Sequence, residues 1–228
     1  MPKIKDYARY LNYVLQGKRL YTATEIESKL TPLFQTNKAT ASIRKKIDAD
    51  FYENMHISDK GYNENNWLLT DIPDILSLSP KTVLEVGAGN LRSARKLASN
   101  GFPVIAVDWI NLNEKSLPER LVYKKLDLLT DSLPIADLVC SADVLEHIPA
   151  ENIFSVVEKL VNNSRIGYLK IACYDDGHSH LTLISPLQWL DIFKRFDMSY
   201  YIKSIEFRKE NLAYPVVIIT NGAFSASL

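Results

Sequence analysis

Cysteine is nearly absent. Cys140 and Cys173 are the two in 228 residues, and neither stands in CxxC or His/Cys spacing, which excludes a disulfide framework and a cysteine zinc cluster. Each falls inside an apolar run that reads as a buried strand, the ordinary place for an unreactive thiol in a reduced cytosolic protein. Long apolar runs are lacking too. No window approaches the ~20 apolar residues a membrane span requires, and the opening MPKIKDYARY carries no apolar signal-peptide core. Neither sign of charge prevails, because 27 basic side chains meet 27 acidic ones; the electrostatic footprint of a nucleic-acid or polyanion binder is missing. Internal repeats and low-complexity tracts are also missing. A soluble cytoplasmic protein with one main core and no membrane or nucleic-acid partner is expected.

What is present falls into two parts. In residues 1–79, Ile4, Tyr7, Leu11, Val14 and Leu15 recur at helical spacing, Thr24 to Glu27 resembles a capping box, and a third helix is expected over Ala41 to Met55. The stretch ISDKGYNENNWLLTDIPDILSLSP reads as a connection with a short helix before Pro80. From residue 80 to 228 short apolar runs alternate with helical segments, the signature of a parallel sheet covered on both faces. Strands are expected at 82–86, 103–107, 121–125, 136–141 and 166–173, then as a terminal hairpin at 199–207 and 214–220. Between them, LRSARKLASNG is a helix stopped by Gly101, and Ile153, Val156, Val157 and Leu160 share one face of another. Ser185 and Pro186 open the last helix as N-cap and first helical residue. The expected fold is α/β: a Rossmann-like, doubly wound seven-stranded sheet, mostly parallel with an antiparallel last strand, behind an N-terminal helical cap.

The stretch KTVLEVGAGNLR, residues 81–92, ends a strand on Glu85 and bends through Gly87 and Gly89. A dinucleotide-binding turn needs G-x-G-x-x-G, and here the third position is Arg92. Glu85 would oppose a pyrophosphate, whereas a ligand carrying ammonium and sulfonium charge suits it. The stretch resembles the first motif of the class I S-adenosylmethionine (SAM)-dependent methyltransferases, acidic-x-G-x-G-x-G, with Leu91 in place of the last glycine. The resemblance implies that SAM is the cofactor, that Glu85 reaches its amino end, and that the backbone of Gly87, Ala88, Gly89 and Asn90 lies against it. Asp108, 21 residues after Gly87, ends the second strand, where a carboxylate accepts from both ribose hydroxyls, and Trp109 can pack on adenine. Asp127 resembles the residue that accepts from the adenine amino group, with Leu128 beside it. ADLVCSADVLEHIP resembles the fourth motif, in which Ser141 and Ala142 face the cofactor.

Methyl transfer to a hydroxyl or an ammonium group also requires loss of a proton, so histidines at the sheet's carboxyl rim are the candidate bases. His147 follows the fourth strand. In CYDDGHSHLTLISPLQW, an extended chain would point His178, His180 and Thr182 one way and Leu181 and Leu183 the other. Asp175, Asp176, His178 and His180 could alternatively ligate a divalent metal, but no second ligand cluster supports that set, and no metal is expected. Tyr52, Tyr62 and Trp67 precede the cofactor domain and are candidates for the acceptor pocket. The fourth motif lacks the N/D-P-P-Y/F pattern of amide-nitrogen methylases, so the favoured activity is transfer to a small-molecule acceptor, a hydroxyl on a sugar or other metabolite. Two alternatives stay open. TATEIESKLTPLFQTNKATASIRKKID can form a helix-turn-helix-like unit for a nucleic-acid-directed methyltransferase, or the chain can bind SAM as a non-catalytic partner protein. A homodimer through the helical part is compatible with the sequence.

Overall fold

A computed structural model describes residues 48–58, 65–112, 116–177, 179–208 and 214–224. The two helices expected at the N-terminus, the helix-turn-helix-like unit up to residue 47, Tyr62 and His178 lie outside the described residues. Of the helix expected over Ala41 to Met55, the described part is α1 (Ala49–Ser58). At its start the Asp48 carboxylate accepts from the Phe51 amide at 2.9 Å, an N-cap contact. A 3-10 turn at Leu69–Asp71 leads into α2 (Ile72–Ser77).

Seven strands follow among the described residues: β1 (Val83–Val86), β2 (Val104–Asp108), β3 (Leu121–Lys125), β4 (Ala136–Ala142), β5 (Ser164–Ala172), β6 (Tyr201–Phe207) and β7 (Pro215–Thr220). They form one sheet in the order β3-β2-β1-β4-β5-β7-β6. The first five are mutually parallel, and β7 is antiparallel to both β5 and β6. This is the expected doubly wound sheet with its antiparallel last strand. One consequence for the site follows: flanked by an antiparallel neighbour, β6 runs in the same direction as β1 to β5, so its carboxyl end emerges on the same rim.

Helices α3 (Arg92–Ser99), α4 (Ile153–Asn162) and α5 (Pro186–Lys194) cover the sheet. Gly101, at φ +93°, turns the chain after α3 as a left-handed C-terminal residue. A capping box between Ser185 and Gln188 starts α5. Side-chain alternation along the strands divides the core in two. Leu84, Val86, Val139, Leu169 and Ile171 meet Val156, Val157 and Leu160 of α4 and Trp189 and Phe193 of α5 on one face. Val83, Leu138, Cys140 and Tyr168 meet Ile72 and Ile75 of α2 and Ala94 and Leu97 of α3 on the other. Each large aliphatic side chain buried here contributes roughly 1.5–3 kcal/mol. Both cysteines are buried thiols. Among the described residues no helix is long and apolar enough to cross a membrane.

Candidate active site

The sheet reverses its strand order between β1 and β4, and a cavity of about 660 Å³ opens there at the strands' carboxyl ends. Open α/β sheets bind ligands at this switch point, and the volume suits a small-molecule site. One wall is the glycine turn. Gly87 lies at φ +68° and Gly89 at φ +48°, and a Cβ on Gly87 would sit 2.2 Å from Val144 Cγ2. Both conformation and space therefore demand glycine at Gly87. Leu91 also adopts a left-handed conformation, φ 58°, where the motif has its third glycine. The strain of about 1–2 kcal/mol is offset by packing, since Leu91 is fully buried in the core on the α3 side.

Glu85 shares the pleat face of Val83, so it points toward α3, where the Ser93 hydroxyl donates a short hydrogen bond to its Oε1. Its Oε2 has no hydrogen-bond partner among the described residues, although the side chain is buried. Withdrawal from solvent, with the Asp108 charge adding to it, raises Glu85 to about 8, against the opposing hydrogen bond from Ser93. The Ser93 oxygen accepts from Asn66 Nδ2 at 2.9 Å, and the same amide nitrogen donates to Asn90 Oδ1 at 3.2 Å. The segment before β1 is thus laced to the glycine turn. Asp108 closes the neighbouring side, accepting from the Gly89 amide at 2.7 Å and the Ile110 amide at 3.3 Å.

The cavity gathers Glu85, Gly87, Ala88, Gly89, Asn90, Asp108, Trp109, Asp127, Leu128 and Ala142 from the cofactor set named above. Asp127 also makes a local turn, accepting from the Leu129 amide at 2.8 Å. Ser141 is buried outside the cavity lining. Adjacent strand residues face opposite sides of the sheet, so Ala142 and Ser141 cannot both line the same side.

The same cavity is lined by Tyr52, Trp67, His147 and His180. Tyr52 of α1 brings its hydroxyl to 3.0 Å from His147 Nδ1 and its ring to 5.9 Å from that of Trp109. His147 Nδ1 also lies 3.0 Å from the Ser179 carbonyl. A carbonyl only accepts, so Nδ1 carries the proton and Nε2 the lone pair. Burial, reinforced by the adjacent His180 ring at 4.9 Å, pushes His147 down to about 4. His180 is buried and donates from Nδ1 to the Tyr174 carbonyl. The chain around it is not extended, because the successive amides of Leu181 and Thr182 both donate to the Glu146 carbonyl, at 2.7 and 2.9 Å. As a result Leu181 rather than Thr182 joins His180 in the lining.

Sequence reasoning missed Arg208, Tyr174 and Asn66. Arg208 stands just past β6 and enters the lining because β6 runs parallel to β5. Its guanidinium stacks 3.9 Å from the centre of the Trp67 ring, with Nη1 donating to Tyr174 Oη at 2.5 Å and Nη2 to Asp143. The strand direction was legible from the hairpin, and a cation at that end was the signal available.

Similar architectures occur in solved structures. The 1,6-didemethyltoxoflavin-N1-methyltransferase of Burkholderia thailandensis, with bound 1,6-didemethyltoxoflavin and S-adenosylhomocysteine, superposes with a TM-score of 0.60 at 14% identity, over 80% of this chain and 88% of that one. Magnesium protoporphyrin IX methyltransferase from Synechocystis PCC 6803, with bound S-adenosylhomocysteine, gives 0.51 at 14% identity, over 75% and 98%. The N-terminal domain of EvdMO1, crystallised in the presence of S-adenosylhomocysteine and D-fucose, gives 0.52 at 11% identity, over 70% and 84%. The fold is that of the class I SAM-dependent methyltransferases. No family model matches the sequence, and no curated protein matches it.

Proposed function

We propose that this chain is a SAM-dependent methyltransferase that moves a methyl group to a small polar acceptor, a hydroxyl on a sugar or other metabolite. The observation that carries the reading is the buried Glu85, with one carboxylate oxygen held by Ser93 and the other unpartnered among the described residues, beside a turn in which Gly87 leaves no room for a side chain. A cationic amino group suits that oxygen, and a diphosphate does not. Asp108 and Asp127 supply acceptors for ribose and adenine, and Trp109 a ring face. The cofactor supplies an electrophilic methyl carbon on a sulfonium centre. Residues 1–79 then serve as a helical cap and connection, and residues 80–228 as the methyltransferase domain.

The chain's own contribution is positioning, which can supply much of the rate. Tyr52, Trp67 and Arg208 wall the acceptor end, and the Nε2 lone pair of His147 is left to accept from an acceptor hydroxyl. With its conjugate acid at about 4, His147 orients that O–H rather than storing its proton at neutral pH. A small-molecule acceptor is supported by the toxoflavin-type compound bound in one similar structure, and a sugar by the D-fucose present with another. Incubation with methyl-labelled SAM and a fractionated metabolite extract is expected to label a small molecule. Label found only in nucleic acid or protein overturns the acceptor class.

A further inference from the structure

We propose that Glu146, His147 and His180 form a binding site for one divalent first-row transition-metal ion at the acceptor end of the cavity. One donor atom from each residue lies within 4.8 Å of those of the other two. The three come from two segments fastened together: the 3-10 turn Leu145–His147 and the loop whose Leu181 and Thr182 amides both donate to the Glu146 carbonyl. The cluster is therefore set by backbone hydrogen bonds rather than by flexible side chains meeting by chance.

Three features suit it to coordination. Both imidazoles are anchored through Nδ1 on backbone carbonyls, His147 on Ser179 at 3.0 Å and His180 on Tyr174. This leaves Nε2 of each ring as a ligand nitrogen and reproduces the outer hydrogen bond that orients metal-binding histidines. His180 Nε2 stands 4.0 Å from Glu146 Oε1 and 3.8 Å from Asp176 Oδ2. Glu146 is fully buried; its Oε1 accepts from the Ala172 amide at 3.1 Å, whereas Oε2 has no hydrogen-bond partner among the described residues. The oxygen facing the His180 imidazole is Oε1, which keeps a further lone pair beside the Ala172 bond, and a cation at the two imidazoles offsets the cost of burying this carboxylate. Two nitrogens and one carboxylate favour zinc, cobalt, iron, nickel or manganese over magnesium or calcium. Three protein ligands leave at least one position for an oxygen of the acceptor.

A bound ion takes up the His147 Nε2 lone pair and replaces it as the group that holds an acceptor oxygen; only that use of the ion rests on the proposed methyl transfer. The test starts from full-length chain stripped with chelator and titrated with cobalt(II), followed by visible absorption and calorimetry. One equivalent is expected to bind, with two paramagnetically shifted imidazole N–H proton resonances. His180→Ala and Glu146→Gln are each expected to weaken binding at least tenfold while S-adenosylhomocysteine affinity, which reports the fold, is kept. Folded wild-type protein that takes up no stoichiometric cobalt, or shows fewer than two shifted imidazole signals, overturns the site, and so does uptake unchanged in both variants. Cobalt bound without any labelled methyl product overturns the reaction and leaves the site standing; methyl transfer without cobalt uptake does the reverse.

Discussion

Glu85 is the side chain on which the cofactor reading turns, and its ionisation gives that reading a pH signature. Burial holds its proton until about pH 8, so below that pH a cationic amino group must displace the proton before pairing with the carboxylate. Affinity for S-adenosylhomocysteine is expected to fall as pH drops from 8 toward 6, by up to about tenfold per unit, and to flatten above 8. Glu85→Gln is expected to bind more weakly at pH 8 and to lose the slope. Calorimetry across that range decides it, and a slope retained by the glutamine variant removes Glu85 from the amino-group role. The acid sits in a site that burial has already made costly for charge, so the same group lowers fold stability as pH rises from about 4.5 to 8. Leu91 shows a different compromise: its left-handed backbone is tolerated because the side chain has a full complement of core neighbours.

The segment before β1 is joined to the sheet by more than apolar contact. Lys170 Nζ of β5 lies 2.7 Å from Asp71 Oδ2, both side chains nearly buried, and Tyr168 Oη donates to Asp71 Oδ1 at 3.1 Å. Removing one partner of a buried pair leaves an uncompensated charge. Asp71→Ala is expected to destabilise the fold by about 2–4 kcal/mol, less than a full orphaning because Glu206 remains 3.2 Å from Lys170. Urea unfolding measures it, and a loss under about 0.5 kcal/mol would place the pair among decorative surface bridges. This anchoring was invisible in the sequence: Asp71 and Lys170 are separated by 99 positions, and no periodicity marks a pair that distant. The strands were legible, within a residue or two at their ends, because apolar alternation and Gly101, Ser185 and Pro186 act over short spans. The glycine turn and Asp108 were legible for the same reason. Arg208 and the fastening of Glu146 to the 179–182 loop were not, since both depend on which strands end side by side.

Taken as a whole, the sheet order brings two kinds of chemistry into one cavity. The carboxyl ends of β1, β2 and β3 bring Glu85, Asp108 and Asp127, while α1, the loop after β5 and the end of β6 bring Tyr52, His180 and Arg208. A ligand spanning only the first group should still stabilise the entire domain, because β1 and β2 lie inside the sheet and cannot order separately from it. S-adenosylhomocysteine at 100 times its dissociation constant adds about 2.7 kcal/mol to the folded state, which corresponds to a rise in melting temperature of roughly 5–10 °C for a chain of this size. NAD at the same concentration is expected to leave the melting temperature unchanged above pH 8, where Glu85 is ionised, because its diphosphate would meet the Glu85 and Asp108 carboxylates. Thermal melts with each ligand separate the outcomes: stabilisation by NAD but not by S-adenosylhomocysteine would turn the cavity into a dinucleotide site and reverse the electrostatic argument built on Glu85.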